Sequence, residues 1–318
     1  MSLDHFVSQV HLKNFYSPVL GARMHAIKKK SLATYICDSE SQCRLEEGNT
    51  NPFLSEPRFI EDILKFIEPA YNKALEKLRS NSLDVEAVLS IVGFAAYVEG
   101  NSPAGMRIHS GPIKASVQAT AKIMDKMGKF SAPPSELDGD NLTELLENGG
   151  VEIDVDPKYA QSIAVQTFFS RMSMWGNSSW DIILNSHEDS SFFTSDYPIG
   201  LELSKTDNQI LNRIVPLAPD IAIRILPDLN APCKSDLEFS NLRTRIVRPT
   251  RTEVGYLNQI IVRCAETTVY RRDCEAWVLP FVKKHANFRV EPVTTTITTA
   301  EGTLLVSTMR VLSTNQKN

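Results

Sequence analysis

The chain has 318 residues, of which 42% are hydrophobic and 23% charged, with a formal net charge of −4. That is close to the average for soluble domains. A chain this long buries a real core in one large domain or two small ones, and its charge gives no global attraction to nucleic acid or to anionic membranes. It contains no apolar run of about 18 residues, so no membrane span is predicted, and its start lacks the basic patch and long apolar run of a signal peptide.

The five cysteines, Cys37, Cys43, Cys233, Cys264 and Cys274, are odd in number and form no CxxC pair. Neither a zinc ribbon nor a disulfide framework is expected, and a cytoplasmic setting fits. Cys264 lies in an apolar helical stretch and reads as a core residue.

In chain order, a short helix is predicted to open at Ser8 and stop at Tyr16-Ser17-Pro18, with Gln9, Leu12 and Tyr16 on one face. A strand with Phe6, Ser8, Val10 and Leu12 on one face is the rival reading. Arg23 to Ala26 and Leu32 to Cys37 read as two strands around the basic turn Lys28-Lys29-Lys30, and 38–52 reads as a loop.

A long helix is expected over 57–79, with Ile60, Leu64, Ile67, Tyr71, Leu75 and Leu78 as its apolar stripe and a kink at Pro69. A second helix runs over 84–98, where the small residues Gly93, Ala95 and Ala96 predict a close helix contact. A third runs over 104–127, interrupted at Gly111-Pro112. Residues 129–156 read as a connection with one short helix at 142–147. Asp156-Pro157 starts a helix carrying Ile163, Val165, Phe168, Phe169 and Met172 to Trp175.

The second half turns to strands at 180–184, 192–203, 221–226, 288–293 and 303–311. A helix opens at the capping box Thr250-Arg251-Thr252-Glu253 and runs through Val254, Leu257, Ile261, Ala265 and Val269, followed by a short helix over 274–284. The class is therefore α+β: a helical bundle in the first half packed on a mixed, mainly antiparallel sheet from the second half and the N-terminal hairpin. One domain over 1–318 is expected, with a helical subdomain at about 55–150.

Asp4-His5-Phe6-Val7-Ser8-Gln9-Val10-His11-Leu12-Lys13-Asn14-Phe15 resembles the opening signature of a bacterial family, domain of unknown function 4238, with Ser8 in the usual Pro place. Thr194-Ser195-Asp196-Tyr197-Pro198 looks like its Thr-Ser-Asp-Asn-Pro block, with Tyr197 in the Asn place. Pro216-Leu217-Ala218-Pro219 looks like its Pro-Leu-Ser-Pro block, and Leu257-Asn258 with Ala265 and Tyr270 resembles its Asn-bearing helix. The blocks span most of the chain in the expected order. The resemblance implies a shared fold and sites at His5, Gln9, Asp196 and Asn258. It implies no reaction.

From the residues themselves, His5 with Asp196 is the sharpest pair, because an imidazole oriented by a carboxylate is a general base near neutral pH. The plainer alternative is that Asp196 caps its own turn and His5 is a packing residue. Gln9 and Asn258 are amides in apolar contexts that either read a ligand or satisfy buried backbone, and Arg107 is a candidate anion clamp. Glu61 and Glu68, seven apart on one helix, can form a carboxylate cluster with Asp196, but no metal-ligand spacing supports it. Ser195 lacks a nucleophile elbow, and no phosphate-binding glycine loop occurs. The run Arg243, Arg245, Arg248 and Arg251, with Arg271 and Arg272, either binds phosphates or is a solvated face.

Two functions follow. One is a phosphodiester- or nucleotide-directed enzyme, conceivably in a defence or toxin role, with nucleotide or nucleic acid as partner and no membrane. The other is a non-enzymatic binding or regulatory module whose motif residues are structural. The sequence leaves the cofactor unknown.

Overall fold

The computed structural model describes residues 2–134, 136–137, 141–205, 207, 210–228, 235–299 and 302–314. Cys233 and part of the 129–156 connection lie outside the described residues. The fold is α+β, and one hydrophobic core joins helical residues such as Leu64 and Ile91 to sheet residues such as Ile182 and Ile223.

The chain enters through β1 (Leu3–His5) and α1 (Gln9–Lys13). Ser8 stands at the N-cap as expected, but its hydroxyl donates to Glu68 Oε1 at 2.5 Å instead of capping. Phe6 and Phe15 are buried and pin this segment to the core. The hairpin β2 (Met24–Lys28) and β3 (Thr34–Cys37) forms where the β-branched and aromatic residues predict it. Within the expected loop, β4 (Arg44–Glu46) pairs antiparallel with β1, and His5 sits opposite Arg44.

The long first helix is not merely kinked. Pro69 divides it into α2 (Phe59–Ile67) and α3 (Tyr71–Arg79), because proline lacks the N–H and its ring clashes with the preceding turn. Both halves pack on α4 (Val85–Asn101), capped by Asp84. From Ala87 to Asn101 every residue of α4 except Leu89 is buried, so this helix is the axis of the core. The close contact foreseen at its small residues exists: a Cβ on Gly93 would meet Ile67 Cγ2 at 2.5 Å.

The next helix, α5 (Pro103–Lys126), runs straight through Pro112, contrary to the expected interruption. Gly111 leaves room for Pro292, whose ring would sit 2.3 Å from an added Cβ, so tertiary packing holds the helix where local propensity would end it. Then come α6 (Leu142–Asn148), α7 (Pro157–Gln166) and α8 (Phe168–Gly176). The expected single helix at 157–176 is broken at Thr167, whose hydroxyl bonds the Ala164 carbonyl at 3.1 Å. Val165, Phe168, Met172 and Trp175 are buried, whereas Ile163 is half-buried and Phe169 exposed.

The strands of the second half are β5 (Ser179–Leu184), β6 (Thr194–Ser195), β7 (Gly200–Leu203), β8 (Leu211–Ala218), β9 (Ile221–Leu226), β10 (Arg243–Val247) and β11 (Thr268–Arg271). Five of them form a sheet in the order β10-β5-β9-β8-β7, parallel only between β10 and β5. The N-terminal hairpin joins second-half strands as expected, but in a separate antiparallel sheet of order β3-β2-β11-β6.

Between β10 and β11 lies α9 (Arg251–Cys264), opened by the foreseen capping box of Thr250 and Glu253. It stops at Cys264, so Val269 is a strand residue and not the end of the helix. After α10 (Val278–His285), the chain closes with the two-stranded hairpin β12 (Phe288–Thr299) and β13 (Gly302–Ser313), whose base packs on α5. Among the described residues no helix is long and apolar enough to cross a membrane.

Candidate functional site

His5, Gln9 and Tyr16 work on one loop. His5 places Nε2 3.1 Å from the Ser39 carbonyl, Ser39 Oγ donates to Gln9 Oε1 at 3.2 Å, and Tyr16 OH meets both Ser39 N and Ser39 Oγ within 2.9 Å. Ser39 is fully buried by these partners. Burial lowers the His5 pKa, opposed by the backbone bonds of Ser39 and Glu40, so the ring favours its neutral form. His5 and Gln9 thus share one partner, Ser39, on the segment that leads from β3 into β4.

Asp196 works on a second segment. Its carboxylate accepts from Glu266 N at 3.0 Å, Thr267 N at 2.8 Å, Thr267 Oγ1 at 2.5 Å and Thr268 N at 3.1 Å. Burial raises its pKa, while the bonds from Thr267 and Glu266 and the charge of Lys29 pull it back down. Lys29, itself buried, donates Nζ to the carbonyls of Ala265, Phe288 at 2.7 Å and Arg263 at 3.4 Å. Desolvation lowers that ammonium to about 8, offset in part by Asp196. Together the two residues terminate α9: Asp196 takes the N–H groups that follow it and Lys29 takes its last carbonyls.

Asn258, fully buried on α9, accepts from Phe193 N at 2.9 Å and donates to Ser191 O at 2.8 Å. It holds the chain entering β6, three residues before Asp196. Ser195 accepts from Tyr197 N at 3.1 Å in the same turn. The hydrogen bonds therefore bring His5 and Gln9 onto one shared partner, Ser39, whereas Asp196 and Asn258 hold different groups, Asp196 the residues 266–268 and Asn258 the chain at Ser191 and Phe193.

Arg107 grips Glu266 through two parallel bonds of 3.2 and 2.7 Å, Glu291 at 2.7 Å and the Val290 carbonyl at 2.9 Å. It is an internal tie between α5, the end of α9 and β12. Of the basic run, Arg245 donates both Nε and Nη2 to Oδ1 of buried Asp181, and Arg251 pairs with Asp189. Glu61 accepts from Asn49 and Arg58, and Glu68 from Ser8. Among the described residues no group of three His, Cys, Asp or Glu is placed to hold a metal ion.

The two fastened segments are walls of one open cleft of 830 Å³. Gln42, Cys43 and Arg44 come from the first wall, Asp196, Thr267 and Thr268 from the second, and Lys28, Tyr35 and Tyr270 from the sheet between them. Gln42 Oε1 accepts from the hydroxyls of Tyr35 at 3.0 Å and Tyr270 at 3.3 Å, which fixes an amide between two aromatic rings. Lys28 Nζ stands 6.0 Å from the Tyr35 ring centroid. Among the described residues that line the cleft, exposed Lys28 and Arg44 are the cations, and the one carboxylate, Asp196, is already saturated. Such a floor suits a planar group stacked on Tyr35 with an anion beside Arg44.

Sequence reasoning missed His11 and Lys29. His11 lies wholly buried between Tyr71 OH at 2.8 Å and Thr194 Oγ1 at 2.7 Å, stacked on Phe94. Its spacing of four from Phe15, whose ring lies 5.2 Å away, was the one local sign of an inward face. Lys29 carried the opposite sign, since it sits in a run of three lysines that reads as a solvated turn.

Comparison with curated proteins finds no match, and neither does comparison with solved structures. A family model described as protein of unknown function, DUF4238, matches residues 4–275, which include every residue bonded in the two fastened segments except Phe288. On that match the chain belongs to the DUF4238 family.

Proposed function

We propose that this protein binds a small phosphate-bearing ligand of the nucleotide class in the cleft between the β3–β4 segment and the α9–β11 junction. One observation carries the reading. His5 and Gln9 fix one wall of this cleft, and Asp196 fixes the other. Walls held by buried hydrogen bonds are preorganised, which removes ordering cost from binding. In this reading the motif residues are structural, Arg44 and Lys28 receive the phosphate, and Tyr35 stacks on the base. The free thiols among the described residues, Cys37, Cys43, Cys264 and Cys274, support a reducing, cytoplasmic setting.

The test is calorimetric titration of the protein with AMP, GMP, CMP, UMP and inorganic phosphate at low salt. At least one mononucleotide should bind more tightly than phosphate, and Arg44→Ala and Tyr35→Ala should each weaken it by about tenfold. No binding to the wild type, or binding unchanged in both variants, defeats the reading.

A phosphodiester-directed enzyme is the second reading. It is favoured by the position of Asp196 in the cleft with a carboxyl raised by burial. Turnover of a nucleotide that is lost in a folded Asp196→Asn protein would favour it over simple binding.

A further inference from the structure

β10 is an outer strand of the five-stranded sheet and pairs with β5 alone. Its register with β5 is regular from Arg243 to Val247, and neither a bulge nor a proline blunts it. Among the described residues no main-chain group other than those of β5 bonds the backbone of 243–247. Its outer edge therefore presents N–H and C=O groups for a further strand.

The two faces of β10 differ. By the two-residue period, Arg243 and Arg245 share one face, and Thr244 and Ile246 share the other. All four are exposed, Ile246 at 39% and Arg245 at 72%.

The arginine face carries a ladder of alternating charge. Arg245 stands opposite Asp181 and donates to its Oδ1 at 3.0 and 2.7 Å. Asp181 stands opposite Arg224 and accepts from its Nη1 through Oδ2 at 3.3 Å. Arg224 Nε lies 2.9 Å from Glu202 Oε2, across β8. Asp181 and Glu202 are buried. The series is positive on β10, negative on β5, positive on β9 and negative on β7, and it stops on a positive rung at the open edge. Arg243, beside that rung, has no ion pair among the described residues.

Opposite charges on adjacent strands stabilise and like charges destabilise, so the strand that continues this ladder carries carboxylates. On the other face Ile246 gains from an apolar neighbour. The arginines repel a basic strand, which makes the edge selective. A nucleic acid would use their charge but leave the strand edge unpaired.

We infer that β10 docks an extended segment of a partner protein, about six residues of alternating acidic and apolar type, as a further strand of this sheet. The surface is separate from the nucleotide-type cleft, and its test does not depend on that reading.

The experiment titrates the full chain, at neutral pH and low salt, into a fluorescent peptide of alternating Glu and Val and follows polarisation. The comparison probes are a Lys-Val peptide, a Glu-Val peptide N-methylated at every second amide, one set for each register, and oligothymidylate. The Glu-Val peptide should bind at least about tenfold tighter than the Lys-Val peptide. At least one methylated set should lose about tenfold or more, because its bonds to the edge are gone. Arg243→Glu, at an exposed position, should weaken the Glu-Val peptide by about tenfold. Lys65→Glu, an exposed charge reversal on α2, should change it by less than about twofold. No binding of the Glu-Val peptide, equal binding of the Lys-Val peptide, or tighter binding of oligothymidylate overturns the proposal. So does full binding of both methylated sets, which would show charge alone, or an unchanged affinity in Arg243→Glu.

Discussion

Nε2 of His11 lies 2.7 Å from the hydroxyl of Thr194, a residue 183 positions further along the chain. Tyr71 OH holds the other ring nitrogen at 2.8 Å, so this one imidazole joins α1, α3 and β6. Both of its neighbours are hydroxyls, which donate or accept as the tautomer requires. The ring is therefore satisfied without a charge, and burial lowers its pKa to about 3.

This sets a pH dependence. The folded value of about 3 lies below the free value of 6.5, so between the two the unfolded chain binds a proton that the native one refuses. Stability is full above pH 6.5 and falls as pH drops towards 3, by up to about 1.4 kcal/mol per pH unit. His11→Phe should lose this slope. It should also be about 1–3 kcal/mol less stable at pH 7, because two buried hydroxyls lose a partner. Denaturant unfolding of both proteins from pH 7 to pH 4 measures it, and parallel curves would contradict the assignment.

Lys29 behaves in the same sense at the other end of the scale. Its ammonium titrates near 8 in the native protein and near 10.5 when free. Between those values the unfolded chain again binds more protons, so wild-type stability gains from rising pH by up to about 1.4 kcal/mol per unit. Lys29→Met should be less stable at pH 7, because the Ala265 and Phe288 carbonyls lose their donor, and should lack the alkaline gain. The wild-type minus variant difference between pH 7.5 and 10 decides it.

Asp196→Asn replaces an acceptor-only carboxylate with an amide that turns an NH₂ towards backbone N–H donors. It should cost roughly 3 kcal/mol, from charge-assisted bonds lost and donors left unmade. As a fastener, Asp196 acts on ligand binding only through stability. The variant measured well below its melting temperature should then keep mononucleotide affinity within about threefold. Lost affinity in a folded protein would give the carboxylate a direct role.

Leu64 lies buried on α2 against α4. Leu64→Ala should destabilise by about 2–5 kcal/mol, through lost apolar burial and the cavity left behind. A near-neutral result in urea unfolding would displace α2 from the core.

The amphipathic helices were legible because their information is local. Leu64, Ile67, Tyr71, Leu75 and Leu78 recur at helical spacing, and Asp84, Asp156 and Thr250 announce helix starts within three residues of what they cap. The end of α9 was not legible. Ile261, Ala265 and Val269 continue the helical spacing, but the N–H groups that would extend the helix are taken by Asp196, 70 positions and more away. Nothing near Cys264 records that. The same holds for the candidate site: His5 and Asp196 stood out as residue types, but their partners, the Thr267 hydroxyl apart, are main-chain groups, which every residue carries and no pattern marks.

Lys29 has a further consequence, for synthesis. Its carbonyl partners lie 234 to 259 positions downstream, and β2 beside it waits for β11. At about 5–20 residues per second, roughly 10–50 s separate the emergence of this lysine from that of Phe288. During that interval the nascent hairpin has an open strand edge and a cationic residue with no interior to enter. That exposed charge discourages the edge from pairing with a neighbouring chain until its own partner arrives.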